Sequence, residues 1–355
     1  MTPMFLYLAH LAPHFATKRE RLQVPEQYLR GYEGIGHVNR TLYAGMVSAL
    51  DESVGIVVRA LHERRMLEDT IIVFTSDNGA CATTDGLDAA SPWPLKGEKY
   101  TLWEGGVRVP GLIWTADHIW LGPGSVYNRL FHVTDWLPTL YEMAGGSPGD
   151  LGPDLDGVSH VRSLRDPKSA VLRNEVLLNI DPIENHSAVI QGQYKLVVGT
   201  VLGGRSDRWI HVSGNVDPDD NGASRALDAC KDSVVARMFT SAGVTRTLCG
   251  EKEELLSDGV LYSKPLDCES VHALPRTACD STLAPCLFDI IEDPCEYHNI
   301  ADEKPEVVQR LLSRLEYYEQ TAVPPGNLEP DERSNPALHN NMWVPWGDDV
   351  SEGLH

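Results

Sequence analysis

The run Thr70–Ser76, TIIVFTS, is apolar and β-branched, and it stops abruptly at Asp77-Asn78-Gly79. This pattern predicts a buried strand ending in a loop. From His37 to Arg65 the spacing is helical instead, with Leu42, Met46, Leu50, Val54, Val57 and Leu61 on one face and Asp51, Glu52 and Arg64 off it. A covering helix followed by a short turn and a buried strand predicts a layered α/β architecture of the βαβ kind. In open α/β sheets, ligands bind at the C-terminal ends of the strands. Asp77 and Asn78 fall at such an end, and carboxylate and amide oxygens are the ligands that Ca²⁺ or Mg²⁺ prefers over Zn²⁺. Beyond a Gly-rich polar loop come Lys99, Glu104-Gly105-Gly106 and Arg108, then a second strand centred on Leu112–Trp114.

The 355 residues suffice for one large or two medium domains. A net charge of -21 leaves no basic surplus for counterion release, which excludes nucleic acid as a partner and argues against an anionic membrane surface. No purely apolar run reaches the length of a membrane span, so the sequence reads as soluble. Met1–Ala12 has neither a basic leader nor a small-residue cleavage site, so it is read as containing a strand, Phe5–Ala9, and not as a signal peptide. His14 follows in a loop, before a basic insert at Lys18-Arg19-Glu20-Arg21.

Thr134 is the expected N-cap of an apolar helix over Asp135–Ala144, closed by Gly145-Gly146. The Gly-, Pro- and Asp-rich stretch 147–157 marks a crossover, dividing 1–146 from a smaller α+β unit at 158–323. There Glu175–Ile180 is a strand, and Ser187–Gln191 with Gln193–Val198 forms a hairpin about Gly192. Cys286–Ile290 is a further strand and Lys304–Thr321 a helix, with 324–355 an irregular tail. The segment near 200–284 carries Cys230, Cys249, Cys268 and Cys279, with Cys286 and Cys295 just beyond. None lies in a C-x-x-C pattern, so these six read as disulfides in an oxidising compartment rather than as a zinc site. Cys286 with Cys295 is the one pairing the spacing suggests. The sequons at Asn39 and Asn185 agree with a secretory route.

Three ordered motifs, Asp77-Asn78-Gly79, G-x-K-x-x-x-x-E-G-G-x-R-V-P from Gly97 to Pro110, and H-x-T-D-W-L-P-T-L from His132 to Leu140, together resemble the sulfatase family. FLYLA with His14, LQVPEQYL, YAGMVSALDE and the C-terminal CLFDIIEDPCEYHNIAD narrow the resemblance to the arylsulfatase B-like (N-acetylgalactosamine-4-sulfatase-like) group. The resemblance implies an alkaline-phosphatase-like α/β fold, a mixed sheet sandwiched by helices, here N-terminally incomplete, with a smaller C-terminal α+β domain containing an antiparallel sheet. It implies a Ca²⁺ ion with Asp77 and Asn78 on one side of its shell, Lys99 as the sulfate-binding lysine, and His14 as the histidine that contacts the ester and protonates the departing alkoxide. Its ligands would be sulfated small molecules or sulfated glycans, and its compartment lysosomal or extracellular. Glu104-Gly105-Gly106 and Arg108 are read as loop architecture, and the His132 motif as a helix start packed on the sheet.

The family's nucleophile is a formylglycine made from the cysteine of C-x-P-S-R, and none of the seven cysteines here is followed by such a sequence. The expectation is therefore a sulfuric ester hydrolase in the full-length family member, with this chain inactive by itself. The alternatives are a catalytically dead sulfatase-like binding protein and, third, a metal-dependent phosphatase of the same superfold. An incomplete sheet would expose apolar edges, so the isolated chain is also expected to be unstable or to aggregate.

Overall fold

The computed structural model describes residues 3–16, 20–82, 89–116, 126–166, 168–170, 172–211, 230–231, 233–241, 268, 277, 279–327 and 331–347. Most of the cysteine-bearing segment, Cys249 included, and Lys18-Arg19 of the basic insert lie outside them. The chain divides into two units, Met1–Glu319 and Gln320–His355. In the second, 3₁₀ turns at Glu332–Ser334 and Pro336–His339 are capped by the Asp331 and Asn335 side chains.

In the first unit, helix α1 (Val38–Glu63) starts where the His37 side chain accepts from the Arg40 amide. Strands β1 (Ile71–Thr75) and β2 (Gly111–Thr115) follow, with the one-turn helix α2 (Glu104–Val107) between them. β1 and β2 pair antiparallel, Val73 opposite Ile113, as a two-stranded sheet. The βαβ unit expected of the Phe5–Ala9 strand, α1 and β1 is not formed, because β1 pairs among the described residues with β2 alone. Val58 and Leu61 of α1 are buried in one cluster with Leu67, against Ile72 of β1 and Trp114 of β2. By length and composition α1 would also pass as a membrane span. The C-terminal half of this helix packs Val54, Val57, Val58 and Leu61 into the cluster with the sheet.

The expected strand Phe5–Ala9 is not formed. This stretch has no ladder partner among the described residues, and Phe5 and Tyr7 are 83% and 82% exposed. Alternating apolar residues favour a strand only where a neighbour satisfies the backbone.

After α3 (Trp136–Met143) and α4 (Val161–Arg165), strands β3 (Glu175–Asp181), β4 (His186–Gln191), β5 (Tyr194–Val198) and β6 (Cys286–Asp289) form one antiparallel sheet in sequence order. Helix α5 (Val234–Ser241) lies between β5 and β6, and helix α6 (Pro305–Glu319) closes the unit. Both sheet faces are covered, as the consecutive apolar residues of β4, β5 and β6 require, since neighbours along a strand point to opposite faces. Val189, Leu196 and Leu287 pack against Val307, Leu311 and Leu315 of α6. Ala188, Ile190, Val197, Cys286 and Phe288 point the other way, onto Leu102 and Trp103. The loop that bears Lys99 is therefore bolted to the second sheet through Trp103, whose ring meets Phe288 edge-on at 5.7 Å.

The expected Cys286–Cys295 bond does not form. The bonds are Cys268–Cys295 and Cys279–Cys286, and Cys230 is also disulfide-bonded. Cys286 points into the Trp103 cluster, whereas Cys295 lies in another with Leu95, Cys268 and Tyr297.

Candidate active site

β1 delivers Asp77 and Asn78 to a tight loop. The Asp77 carboxylate accepts from the Asn78 amide at 2.9 Å, and the Asn78 side-chain amide donates to the Gly79 carbonyl at 2.8 Å. Gly79 donates its N–H to Gly106 O at 2.9 Å, and a Cβ on Gly79 would overlap the Gly105 carbonyl. Glycine at 79 permits this approach, and Gly105 and Gly106 allow the same turn to pack closely on Lys96–Glu98 and Thr101 behind it. Glu104–Val107 is a helical turn rather than plain loop.

The same contact sets Lys99. Its amide donates to Ala80 O at 2.8 Å, and its Nζ lies 3.5 Å from His14 Nε2 although 85 residues separate the two in sequence. His14 Nδ1 sits 2.8 Å from Phe15 O; a carbonyl only accepts, so Nδ1 carries the proton and Nε2 faces Lys99 as the acceptor. Next to Lys99, the fully buried Glu98 carboxylate accepts from the Ala82 amide and the Ser206 hydroxyl, each at 2.7 Å. Tyr100 follows at φ 81°, a region an aromatic side chain rarely occupies and one that costs about 1–3 kcal/mol.

Beneath this loop lies a buried charge cluster that sequence reading missed. Lys195 of β5 pairs with Glu104 at 2.8 Å and with Glu296 at 2.9 Å, and Glu296 also accepts from the Glu104 amide at 2.9 Å. Lys96 lies beside it, its Nζ 3.5 Å from the centre of the Trp103 ring. Burial lowers the Lys96 ammonium to about 8, against the pull of Glu296 and Asp207. Lys195 is raised: burial opposes its charge, but Glu104 and Glu296 outweigh it. Burial pushes the Glu296 carboxyl up to about 7, with Lys195 working the other way.

A pH dependence follows. A carboxyl raised in the folded state contributes stability that is full below its unfolded value near 4.5 and is lost as pH rises through about 7. His132 and His186, both held below the ordinary imidazole value by burial, act in the opposite sense over that range. The measurable quantity is therefore a difference: between pH 5 and 7.5, wild type should lose roughly 2 kcal/mol more than Glu296→Gln. Identical slopes of melting temperature against pH in the two proteins would rule this out.

A second buried network surrounds the His132 motif. Asp135 reaches back to the His132 amide at 2.8 Å, so Thr134 is not the N-cap expected. Its carboxylate also accepts from Val158 N at 2.8 Å, His160 Nε2 at 3.1 Å and Arg173 through Nε at 2.7 Å and Nη2 at 2.5 Å. Burial opposes the charge, yet the bonds from His160, Arg173 and the two amides hold the carboxyl well below the usual range.

Two adjacent oxygen donors fall well short of the six to eight that Ca²⁺ takes. Among the described residues, no group of three or more His, Cys, Asp or Glu is placed to hold a metal. Asp77 and Asn78 alone thus do not make a calcium site.

Residues 1–146 match the family model described as Sulfatase. Arylsulfatase J of Mus musculus is 32% identical over 353 residues, covering 97% of this chain and 50% of its own. N-acetylgalactosamine-6-sulfatase of Sus scrofa is 33% identical over 146 residues, 41% of this chain and 26% of its own. The crystal structure of Ps i-CgsB in complex with k-i-k-neocarrahexaose superposes with a TM-score of 0.56 at 20% identity, over 93% of this chain and 53% of that one. That likeness speaks to the fold alone, the alkaline-phosphatase-like sulfatase fold. The chain spans half the length of the first of these relatives.

Proposed function

We propose, from the sulfatase match of residues 1–146, that this chain carries the sulfate-holding and leaving-group side of a sulfate ester hydrolase site. The observation that carries the reading is the 3.5 Å approach of Lys99 and His14 beside the strand end bearing Asp77 and Asn78. A sulfate group laid against the pair accepts from the Lys99 ammonium, a compact cation suited to a tetrahedral oxyanion. Imidazole Nε2, once protonated, is placed to deliver its proton to the departing alkoxide oxygen. Asp77 and Asn78 contribute one side of a hard-cation shell whose other ligands would have to come from elsewhere. The narrower arylsulfatase B-like identity rests on the sequence motifs, and the similarity to an arylsulfatase over 97% of this chain and 50% of that relative supports an arylsulfatase-like reading. The disulfides accord with the secretory route of such enzymes.

Without a C-x-P-S-R cysteine the chain has no nucleophile of the family's kind. We therefore expect 4-nitrophenyl sulfate hydrolysis by the purified 355-residue protein to stay at background. Inorganic sulfate should bind, and Lys99→Ala should weaken it about tenfold or more, the loss of one charge-assisted contact. Hydrolysis above background would refute the inactivity, and unchanged sulfate affinity in Lys99→Ala would refute the site. Binding without turnover also fits a sulfatase-like binding protein. An in-frame C-x-P-S-R codon run upstream in the transcript favours the hydrolase, and a stop codon with none favours the binding protein.

A further inference from the structure

We propose that Glu98 is the residue that positions Lys99: its buried carboxylate clamps the Lys99 loop between the segment that follows Asp77-Asn78 and the segment around Ser206, and so sets where the ammonium stands. The inference rests on the sulfate-binding reading of Lys99 and adds how this chain holds that lysine in place. It also draws into the site a segment that lies beyond residues 1–146, the part of the chain that matches the sulfatase family.

Lysine reaches an anion on a flexible four-carbon stem, so its grip depends on how firmly the backbone beneath it is held. Lys99 supplies one tie itself, the bond from its amide to Ala80 O at 2.8 Å. Glu98 supplies the next. Its Oε2 accepts from the Ala82 amide at 2.7 Å across 16 residues, and its Oε1 accepts from the Ser206 hydroxyl at 2.7 Å across 108. Adjacent residues of one loop thus hold the 80–82 segment twice, and the second hold continues through the same side chain to Ser206. The Ser206 side is tied to the loop as well: Gly97 donates its N–H to Arg208 O at 3.0 Å, and Lys96 pairs with Trp209 in an antiparallel bridge. Burying a carboxylate costs desolvation that an apolar side chain of similar size avoids. At this completely buried position the carboxylate instead gives directed bonds to two segments that share no strand ladder among the described residues. The backbone of Glu98 is closed into a turn that keeps the clamp and the lysine in register, Thr101 N donating to Glu98 O at 3.0 Å and Glu98 N to Thr101 Oγ1 at 3.2 Å.

Calorimetric titration of the 355-residue chain with inorganic sulfate tests the clamp, under conditions where urea titration shows each variant folded. Glu98→Ala should weaken sulfate about fivefold, although Glu98 makes no contact with the anion. Glu98→Gln should restore the affinity, because its carbonyl accepts from the Ala82 amide and its NH₂ donates to the Ser206 hydroxyl. A residue that acts through Lys99 adds nothing once Lys99 is gone, so Lys99→Ala and the double variant Lys99→Ala, Glu98→Ala should bind sulfate equally weakly. A residue that only stabilises the fold would leave the affinity of the folded protein unchanged. Wild-type affinity in Glu98→Ala, beside a loss in Lys99→Ala, therefore overturns the clamp and leaves the Lys99 site standing. A further fivefold loss in the double variant also overturns it, and so does a Glu98→Gln as weak as Glu98→Ala, which would assign the effect to charge. If Glu98→Ala does not fold, Ser206→Ala carries the test, since it removes one of the two bonds: wild-type affinity there overturns the clamp, and a twofold to threefold loss of the order of half a kcal/mol supports it. Failure of wild type to bind sulfate removes the Lys99 reading, and the clamp falls with it.

Discussion

Replacing Lys195 with alanine is expected to cost the chain about 3–5 kcal/mol of folding stability, the usual penalty for stranding buried partners of an ion pair. Lys195 is completely buried, and its ammonium is shared by Glu104 and Glu296, which are themselves buried. Without it two carboxyls face one another with no cation between them, and one must take up a proton to remain inside. The effect extends beyond stability. Glu104 opens the helical turn packed against Gly79, and Lys96 and Trp103 flank it, so the cluster fixes the loop that presents Lys99. Urea midpoints should fall sharply for Lys195→Ala. They should largely recover in the triple variant Lys195→Met, Glu104→Gln, Glu296→Gln, because apolar and neutral groups of similar volume remove the charge that was stranded. A midpoint within 0.5 kcal/mol of wild type for the single variant would show that the cluster contributes nothing to the fold.

Little of that cluster is legible in sequence. In YKLVV, alternation alone would send Lys195 to solvent were the sheet covered on one face only; here the loop at Leu102 and Trp103 covers the second face. Glu296 lies 192 positions from the amide it accepts. By contrast the strands of the four-stranded sheet were readable, since each is a short apolar run and Gly192, at φ 62°, marks the hairpin. Helix α1 was readable from its period, and α5 was not, lying in the segment whose composition is dominated by Gly, Asp and Ser. The apolar pattern of Phe5–Ala9 misled because a strand's partner is not written in the strand. The cysteines misled for a related reason: nearness in sequence placed Cys286 beside Cys295, but the side chains enter different clusters. Of the site, Asp77 and Asn78 were marked by their place at the end of a strand, whereas the roles of His14 and Lys99 were reached only through resemblance. The structure adds the His14–Lys99 approach and the positive φ of Tyr100, neither of which residue types or spacing encode.

Asp135→Ala should be nearly as damaging as loss of Lys195, at about 3–5 kcal/mol, and for a different physical reason. The carboxylate is the common acceptor for five donors: two backbone amides, one imidazole nitrogen and two guanidinium nitrogens. Its removal leaves the Arg173 cation and the His160 ring in a buried space with nothing to accept from them. These donors come from the turn before α3, the start of α4 and the approach to β3, so one side chain ties together segments that share no strand ladder. Asparagine offers one acceptor oxygen and no charge, and Asp135→Asn is expected to recover only part of the loss. The sign with pH is opposite to that of Glu296. A carboxyl held low in the folded state contributes stability that is full above its unfolded value, near 3.8, and is lost as pH falls through and below it. Acid unfolding of wild type should therefore steepen below about pH 4, and the steep limb should be missing in Asp135→Asn. Parallel acid limbs in the two proteins would assign the acid sensitivity to other carboxylates, and a stable Asp135→Ala would show that solvent reaches the donors this carboxylate now satisfies.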